Sequence, residues 1–284
     1  MRAWSTLCLG LGILWAGPLS GQSRPASGPI TRVDHFYAET GAMDALLRFL
    51  KRDLGLPEAW SDQDYGSFAT GAVSLGNVSF EVVRFGPADG SDPVRFAGIA
   101  LEPEGDTQSL LEWLARRGID HGTPQTFPAE GPAFFENTAL PGLIPESADV
   151  FVCDYKDRQM ILESQAENRA ALGERNGGPL GLLGVKELLV ESTDLSKSLE
   201  AWSALVPSAR AAGEEILVEF DYGPRIRIQS GESDRFAGIS LLVRSLDDAG
   251  DFLESRGLIG PAILGGLSIA PGAVGGLHIV IVEG

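Results

Sequence analysis

Arg95-Phe96-Ala97-Gly98-Ile99 recurs as Arg235-Phe236-Ala237-Gly238-Ile239, and this repeated pentapeptide decides how the chain of 284 residues divides. Each copy leads into a strand-like apolar run, residues 99–101 and 239–243, then into an amphipathic helix that stops at glycine. After the first copy, Asp106 and Thr107 begin a helix bearing Leu110, Leu111 and Leu114 and ending at Gly118. After the second, Ser245 begins one bearing Leu246, Ala249, Phe252 and Leu253 and ending at Gly257. A segment copied in this way repeats one supersecondary unit, so further copies are expected on either side.

The preceding sequence has the same order. Residues 30–39 alternate as a strand with Val33, His35 and Tyr37 on one face, and residues 42–54 carry Met43, Leu46, Leu47, Leu50 and Leu54 on one helical stripe stopped by Gly55. Strands at 68–75 and 78–85 follow, joined by Gly76-Asn77, which is hairpin chemistry. Beyond the helix at 106–117, a Pro/Gly-rich passage at 123–145 leads to paired strands at 150–155 and 158–163. Residues 166–175 suit a short polar helix, and the glycines of 173–184 suit a linker. The second half restarts with a strand at 185–190 and a helix capped by Thr193 that carries Leu195, Leu199, Trp202 and Leu205. Strands at 216–220 and 225–229 are split by Gly223-Pro224, and the last strand is at 277–282. The expected fold class is α+β, four βαβββ units paired into two domains at 30–165 and 184–284, with a linker at 166–183 and shorter units in the second domain.

Composition narrows the function. The 39 acidic against 22 basic residues give a formal net charge of −17, scattered along the chain, which repels phosphate backbones and anionic lipid. Residues 1–23 read as a secretory signal, with Arg2, an apolar run at 7–16, and Gly17, Pro18, Ser20 and Gly21 near the cut; residues 24–29 are a tether. The apolar run is too short to span a membrane, so the expected destination is periplasmic or secreted, with no membrane association beyond the signal. Of the two cysteines, Cys8 lies in that signal, which leaves Cys153 without an intrachain partner and suited to a buried strand. Neither a Ser-His-Asp spacing, a phosphate-cradling glycine loop nor a zinc-spaced cysteine pair occurs.

Four strand-helix-strands units, with Val33-Asp34-His35 opening the first strand, resemble the vicinal oxygen chelate superfamily of glyoxalase I, extradiol dioxygenases, and fosfomycin and bleomycin resistance proteins. The resemblance runs over nearly all of the mature chain and implies two paired units curled into a half-open cup. It also implies a divalent metal held by a His of a unit's first strand and a Glu of its last. His35 matches the first position, and Glu81, in Val78-Ser79-Phe80-Glu81-Val82-Val83, matches the second. In the second unit the His position falls at Gly98, which has no ligating atom, and the Glu position falls near Glu163. The resemblance thus implies His35, Glu81 and Glu163 as metal ligands, a Zn, Mn, Fe or Ni ion as cofactor, and Glu81 or Glu163 as proton shuttle. In the third unit Glu187 takes the His position and Arg227 the Glu position, which makes an opposite-charge pair. His121 reads as a loop residue and His278 as a hydrogen-bonded sheet residue. Two functions remain open: a metal-dependent lyase, isomerase or dioxygenase of a small oxygenated substrate, or a metal-free module that sequesters a small molecule. Either takes a small-molecule partner and no nucleic acid, and a homo-oligomeric state is compatible with both.

Overall fold

The computed structural model describes residues 28–86, 93–128, 132–145 and 147–284; the expected signal at 1–23 and residues 24–27 of the tether lie outside the described residues. In chain order the first unit comprises β1 (Ile30–Glu39), α1 (Met43–Arg48, continued by a π-turn at Phe49–Asp53), β2 (Glu58–Asp64), β3 (Phe68–Ser74) and β4 (Ser79–Phe85). The second comprises β5 (Arg95–Pro103), α2 (Thr107–Arg117), β6 (Gln125–Phe127), β7 (Phe135–Ala139) and β8 (Asp149–Tyr155). A long helix, α3 (Arg158–Glu174), then leads to β9 (Leu182–Ser192), α4 (Leu195–Leu205), β10 (Arg210–Ala212), β11 (Glu215–Val218) and β12 (Arg225–Ser230). The fourth unit is β13 (Arg235–Val243), α5 (Leu246–Ser255), β14 (Leu267–Ser268) and β15 (Ile279–Glu283).

The strands form two curled sheets, ordered β2-β3-β4-β1-β5-β8-β7-β6 and β10-β11-β12-β9-β13-β15-β14. Within each unit the first strand pairs in parallel with the last, and the two units of a sheet join through antiparallel first strands, β1 with β5 and β9 with β13. Units one and two therefore share one sheet, and units three and four the other. Helix starts follow from local chemistry: the Asp106 side chain accepts from the Ser109 amide and Ser245 Oγ from the Asp248 amide. At α4 the cap is Asp194, which accepts from the Ser196 and Lys197 amides, rather than Thr193, whose amide and hydroxyl are bound to Asp234.

One expectation fails. Residues 158–163 are not a strand; they open α3, whose remainder covers the polar helix expected at 166–175. A short apolar run such as Met160-Ile161-Leu162 fits strand or helix equally, and what decides it is Asp157, whose side chain accepts from the Met160 amide, followed by strong helix formers. The hairpin partner of β8 is instead β7, from the passage that showed no strand pattern. The polar strand β2, with no alternation, exists because β3 pairs with it.

The two copies of the repeat meet. Phe96 and Phe236 stack with ring centroids 4.6 Å apart, and Phe36 packs edge-on against both, so the duplicated segments form the aromatic seam between the sheets inside one continuous core. The tip of the β3–β4 hairpin adds a second tie, because Asn77 donates from Nδ2 to the Val185 carbonyl and accepts the Val185 amide at Oδ1, each at 2.8 Å.

The ladder register also places the second sheet's charges. Glu187 lies opposite Arg225 and Leu189 opposite Arg227, as His35 lies opposite Ser79 and Tyr37 opposite Glu81 in the first sheet. Glu187, 5% exposed, accepts from Arg225 Nε and Nη2 at 2.9 and 2.7 Å and from Arg227 Nε at 2.9 Å; Arg227 Nη1 also donates to Glu215 at 2.7 Å. One carboxylate thus pairs with two guanidiniums, and Glu215 supplies the second negative charge. Glu187→Ala should cost about 3 kcal/mol in urea unfolding, the lower end for an uncompensated buried charge because both guanidiniums keep some contact with water. Adding Arg227→Met should recover only part of that loss, since Arg225 stays unpaired; full recovery would show that Arg225 gains nothing from Glu187. In the first sheet, a Cβ on Gly98 would fall inside the Tyr37 ring. Gly98→Ala should therefore lower stability by about 1–3 kcal/mol, and an unchanged melting temperature would show that the ring moves freely.

Candidate functional site

The site is built on a defect in β1. Val33 faces Leu101 on β5 and His35 faces Ala100, so β1 holds one extra residue, Asp34, in a β-bulge. A bulge re-aims side chains, and here it brings Asp34 and His35 together although neighbours on a regular strand point to opposite faces. His35 projects onto the sheet face opposite α1 and α2, where the Trp60 and Phe151 rings meet it edge-on at 5.9 Å.

His35 Nδ1 lies 2.7 Å from Asp34 Oδ2, and Nε2 lies 3.4 Å from Glu81 Oε2. The Thr70 hydroxyl donates to the other Glu81 oxygen. Asp34 is 4% exposed and also accepts from the Tyr155 hydroxyl at 2.9 Å and from Gln165 Nε2 of α3 at 2.8 Å. Arg32 pairs with Glu102, whose other oxygen accepts from Arg158 Nε at 2.8 Å and Nη2 at 2.7 Å. Three carboxylates (Asp34, Glu81, Glu102) thus face three cationic side chains when His35 is protonated, a balance that makes burial of the cluster affordable. Burial is the largest influence on both Asp34 and His35 and opposes their charges. It is outweighed by their mutual hydrogen bond and attraction, so Asp34 stays below its usual range and His35 above 6.5.

The sequence-derived ligands separate here. His35 and Glu81 come together, but Glu163 sits exposed on α3, hydrogen-bonded to Gln159 one turn earlier, with no part in the cluster. It can be neither metal ligand nor proton shuttle. The register identifies the true equivalent of Glu81 in the second unit: Ala100, two residues past Gly98, lies opposite Phe151. At the Gly98 position the Tyr37 ring fills the space a side chain would need, and its hydroxyl donates to Asp149 Oδ2 at 2.8 Å. Burial, then Asp149, pushes the Tyr37 phenol far above its ordinary value, so it stays neutral. Cys153 is buried on β8, where burial and then the charge of Asp34 push its thiol up, which removes it as a nucleophile. His121 Nδ1 bonds the Gly122 carbonyl, and His278 is exposed rather than held within the sheet.

A catalytic divalent metal takes three protein ligands and an open position. The 3.4 Å between His35 Nε2 and Glu81 Oε2 suits two ligands of one tetrahedral ion, but Gly98 and Phe151 supply no donor for the rest. Among the described residues no group of three or more His, Cys, Asp or Glu side chains is arranged to hold a metal. The donor set does not fit the divalent ion that the sequence resemblance implies.

Sequence reasoning passed over Arg32, Asp34, Glu102, Tyr155, Arg158 and Gln165. Its available signal was a set of charged residues interrupting apolar strands, Arg32 and Asp34 in β1 and Glu102 in β5, since charges are rarely buried unless paired.

No protein-family model matches the sequence, and no curated protein matches it. Solved structures do match the fold. The 2,3-dioxygenase LapB from Pseudomonas sp. KL28 superposes with a TM-score of 0.62 at 13% identity, over 91% of this chain and 94% of that one. A hypothetical protein from Staphylococcus aureus gives 0.60 at 9% identity, covering 89% and 99%. An extradiol ring-cleaving dioxygenase from B. fuscum gives 0.61 at 11% identity, covering 90% and 72%. With two similar curled sheets, each built from paired strand-helix-strands units, the chain has the vicinal oxygen chelate fold in the two-domain form shared with the extradiol dioxygenases.

Proposed function

We propose that this protein binds a small, partly apolar, oxygen-bearing molecule on the open face of its first sheet, and does so without a metal. The observation that carries this reading is the fate of the four ligand positions: two are His35 and Glu81, one is Gly98 beneath Tyr37, and one is Phe151. The same substitutions turn a coordination site into a surface for a ring. Tyr37, Val83 and Ala97 form an apolar cluster with Phe68 and Phe151 against it, while Glu81, Thr70 and Asp149 supply polar atoms beside it. A face mostly apolar with a few fixed polar groups is the usual make-up of a small-molecule site. A metal-dependent lyase, isomerase or dioxygenase would need donors where Gly98 and Phe151 stand.

Catechol, a planar vicinal diol, is a suitable probe. Titrated into the protein and followed by tryptophan fluorescence, with Trp60 beside His35, it should give the same saturable curve before and after treatment with a chelator. Metal analysis of the purified protein should find no stoichiometric transition metal. A chelator that abolishes binding, or one metal ion per chain that is lost in His35→Ala, would overturn the metal-free reading; a flat titration would overturn binding on this face.

The same reading makes His35 titrate freely rather than through metal release. Its value is raised from 6.5, so its pairing stabilises the fold fully below pH 6.5 and that stability is lost as pH rises through the raised value. Asp34 is lowered from 3.8, so its contribution holds above pH 3.8 and is lost as pH falls through the lowered value. Urea unfolding should show stability declining on the alkaline side, and His35→Gln should flatten that limb. An equal alkaline slope in His35→Gln would assign it to another group.

A further inference from the structure

Helix α3 crosses the first sheet from β8 to β2 at the end where β1 begins. The side chains with which it reaches the sheet lie on one helical stripe, Arg158, Gln165, Asn168 and Leu172, and three of these four are polar. Arg158 donates to Glu102 of β5, Gln165 to Asp34 of β1, and Asn168 Nδ2 to the Ala59 carbonyl of β2 at 3.4 Å. Leu172 is the one buried residue of the helix. Ile161, on the same stripe, and Leu162 are half-buried but pack against neither apolar cluster, and Met160 is 42% exposed.

This docking can be undone without stranding a charge. If α3 leaves, Asp34 keeps His35 and Tyr155, and Glu102 keeps Arg32. The Arg158 guanidinium, already 38% exposed, passes to water. Each hydrogen bond to the helix is exchanged for one to solvent, so its net hold is small, and the apolar area given up is mainly that of Leu172. The helix is followed by a run of left-handed residues, Asn176, Gly177 and Gly178, at φ 53, 80 and 65°; Asn176 is the one non-glycine residue with positive φ among the described residues. Such a break lets the helix shift without carrying β9 with it.

What lies beneath is the His35 cluster. Gln165 bonds the carboxylate that holds His35 Nδ1, and Asn168 bonds the backbone beside Trp60, whose ring meets His35. His35 itself is 7% exposed. We propose that α3 is a lid over this end of the sheet, which comes away while both sheets stay folded and so admits small molecules from solvent to Asp34 and His35. Lids are drawn from the least stable parts of a fold, those with few buried apolar contacts, and α3 is such a part. The lid stands whether or not the open face beyond His35 binds a ligand.

Hydrogen exchange on the full chain tests the lid. The amides of α3 should exchange as one group, at least about tenfold faster than those of β1 and β5, and low concentrations of urea should quicken them less, because separation exposes less surface than unfolding. Val243→Ala, at a fully buried site of the second sheet, should quicken β1 and β5 through the shared core and leave the α3 group as in the wild type. Leu172→Ala should quicken the α3 group by at least about tenfold. Acylation of His35 by diethyl pyrocarbonate, followed by mass spectrometry, should rise in Leu172→Ala and not in Val243→Ala. Amides of α3 that exchange in step with β1 and β5 at every urea concentration would overturn the lid, and the wild type suffices for this measurement if Leu172→Ala does not fold. Equal quickening of α3 in the two variants would overturn it as well. A quickened α3 with His35 acylated at the wild-type rate would overturn the admission of solvent species to His35.

Discussion

The Asp34 carboxylate is the charge around which the first sheet is arranged. It is buried, so it must be paired, and it draws its partners from three elements: His35 from β1 itself, Tyr155 from β8 and Gln165 from α3. Each partner fixes something larger. The contact with His35 depends on the bulge in β1, since without it the two side chains would leave the strand on opposite faces. The contact with Tyr155 ties the end of β8 to β1 across the sheet. The contact with Gln165, with the Arg158–Glu102 pair, holds a helix whose own apolar contribution to the core is one buried residue, Leu172. Helix α3 is thus kept by polar ties rather than by an apolar stripe, the opposite of the usual basis for helix docking.

The two sheets solve one electrostatic problem in different ways at matching positions. In the first, His35 sits between two carboxylates, which raise its pKa; in the second, Glu187 sits between two guanidiniums. Both arrangements pair a charge that the fold has taken out of water. The matching positions follow from the parallel pairing of first and last strands, which sets the same offset in both sheets. The other pair of units is alike in the two sheets, Gly98 and Phe151 in the first and Gly238 and Val280 in the second, with no ligating side chain at any of the four. Gly98 is there because an aromatic ring needs the room.

Duplication made the architecture readable. The repeated Arg-Phe-Ala-Gly-Ile marked the second and fourth units, and the 3.6-residue stripes and capping residues marked the helices, because these signals are local and belong to a single segment. His35 and Glu81 were found because the family pattern names their strands, and Glu187 with Arg227 because the units align. Glu163 was misplaced by the same logic: an apolar tripeptide before a glutamate looks like the end of a strand until the chain shows that its edge is taken by β7.

The four-unit duplication, the α+β class and the helix starts at Asp106 and Ser245 are legible in the chain, since periodicity and capping act over a few residues. The rest comes from long-range pairing. That β2 is a strand, that Asp34 joins His35, and that Arg32, Glu102, Arg158 and Gln165 belong to one cluster all depend on contacts between residues far apart in the chain. The physical reason is register. A single extra residue in β1 turns a side chain from one face of a sheet to the other, and the energy that permits it, the pairing of a buried carboxylate, comes from partners that no local pattern brings together.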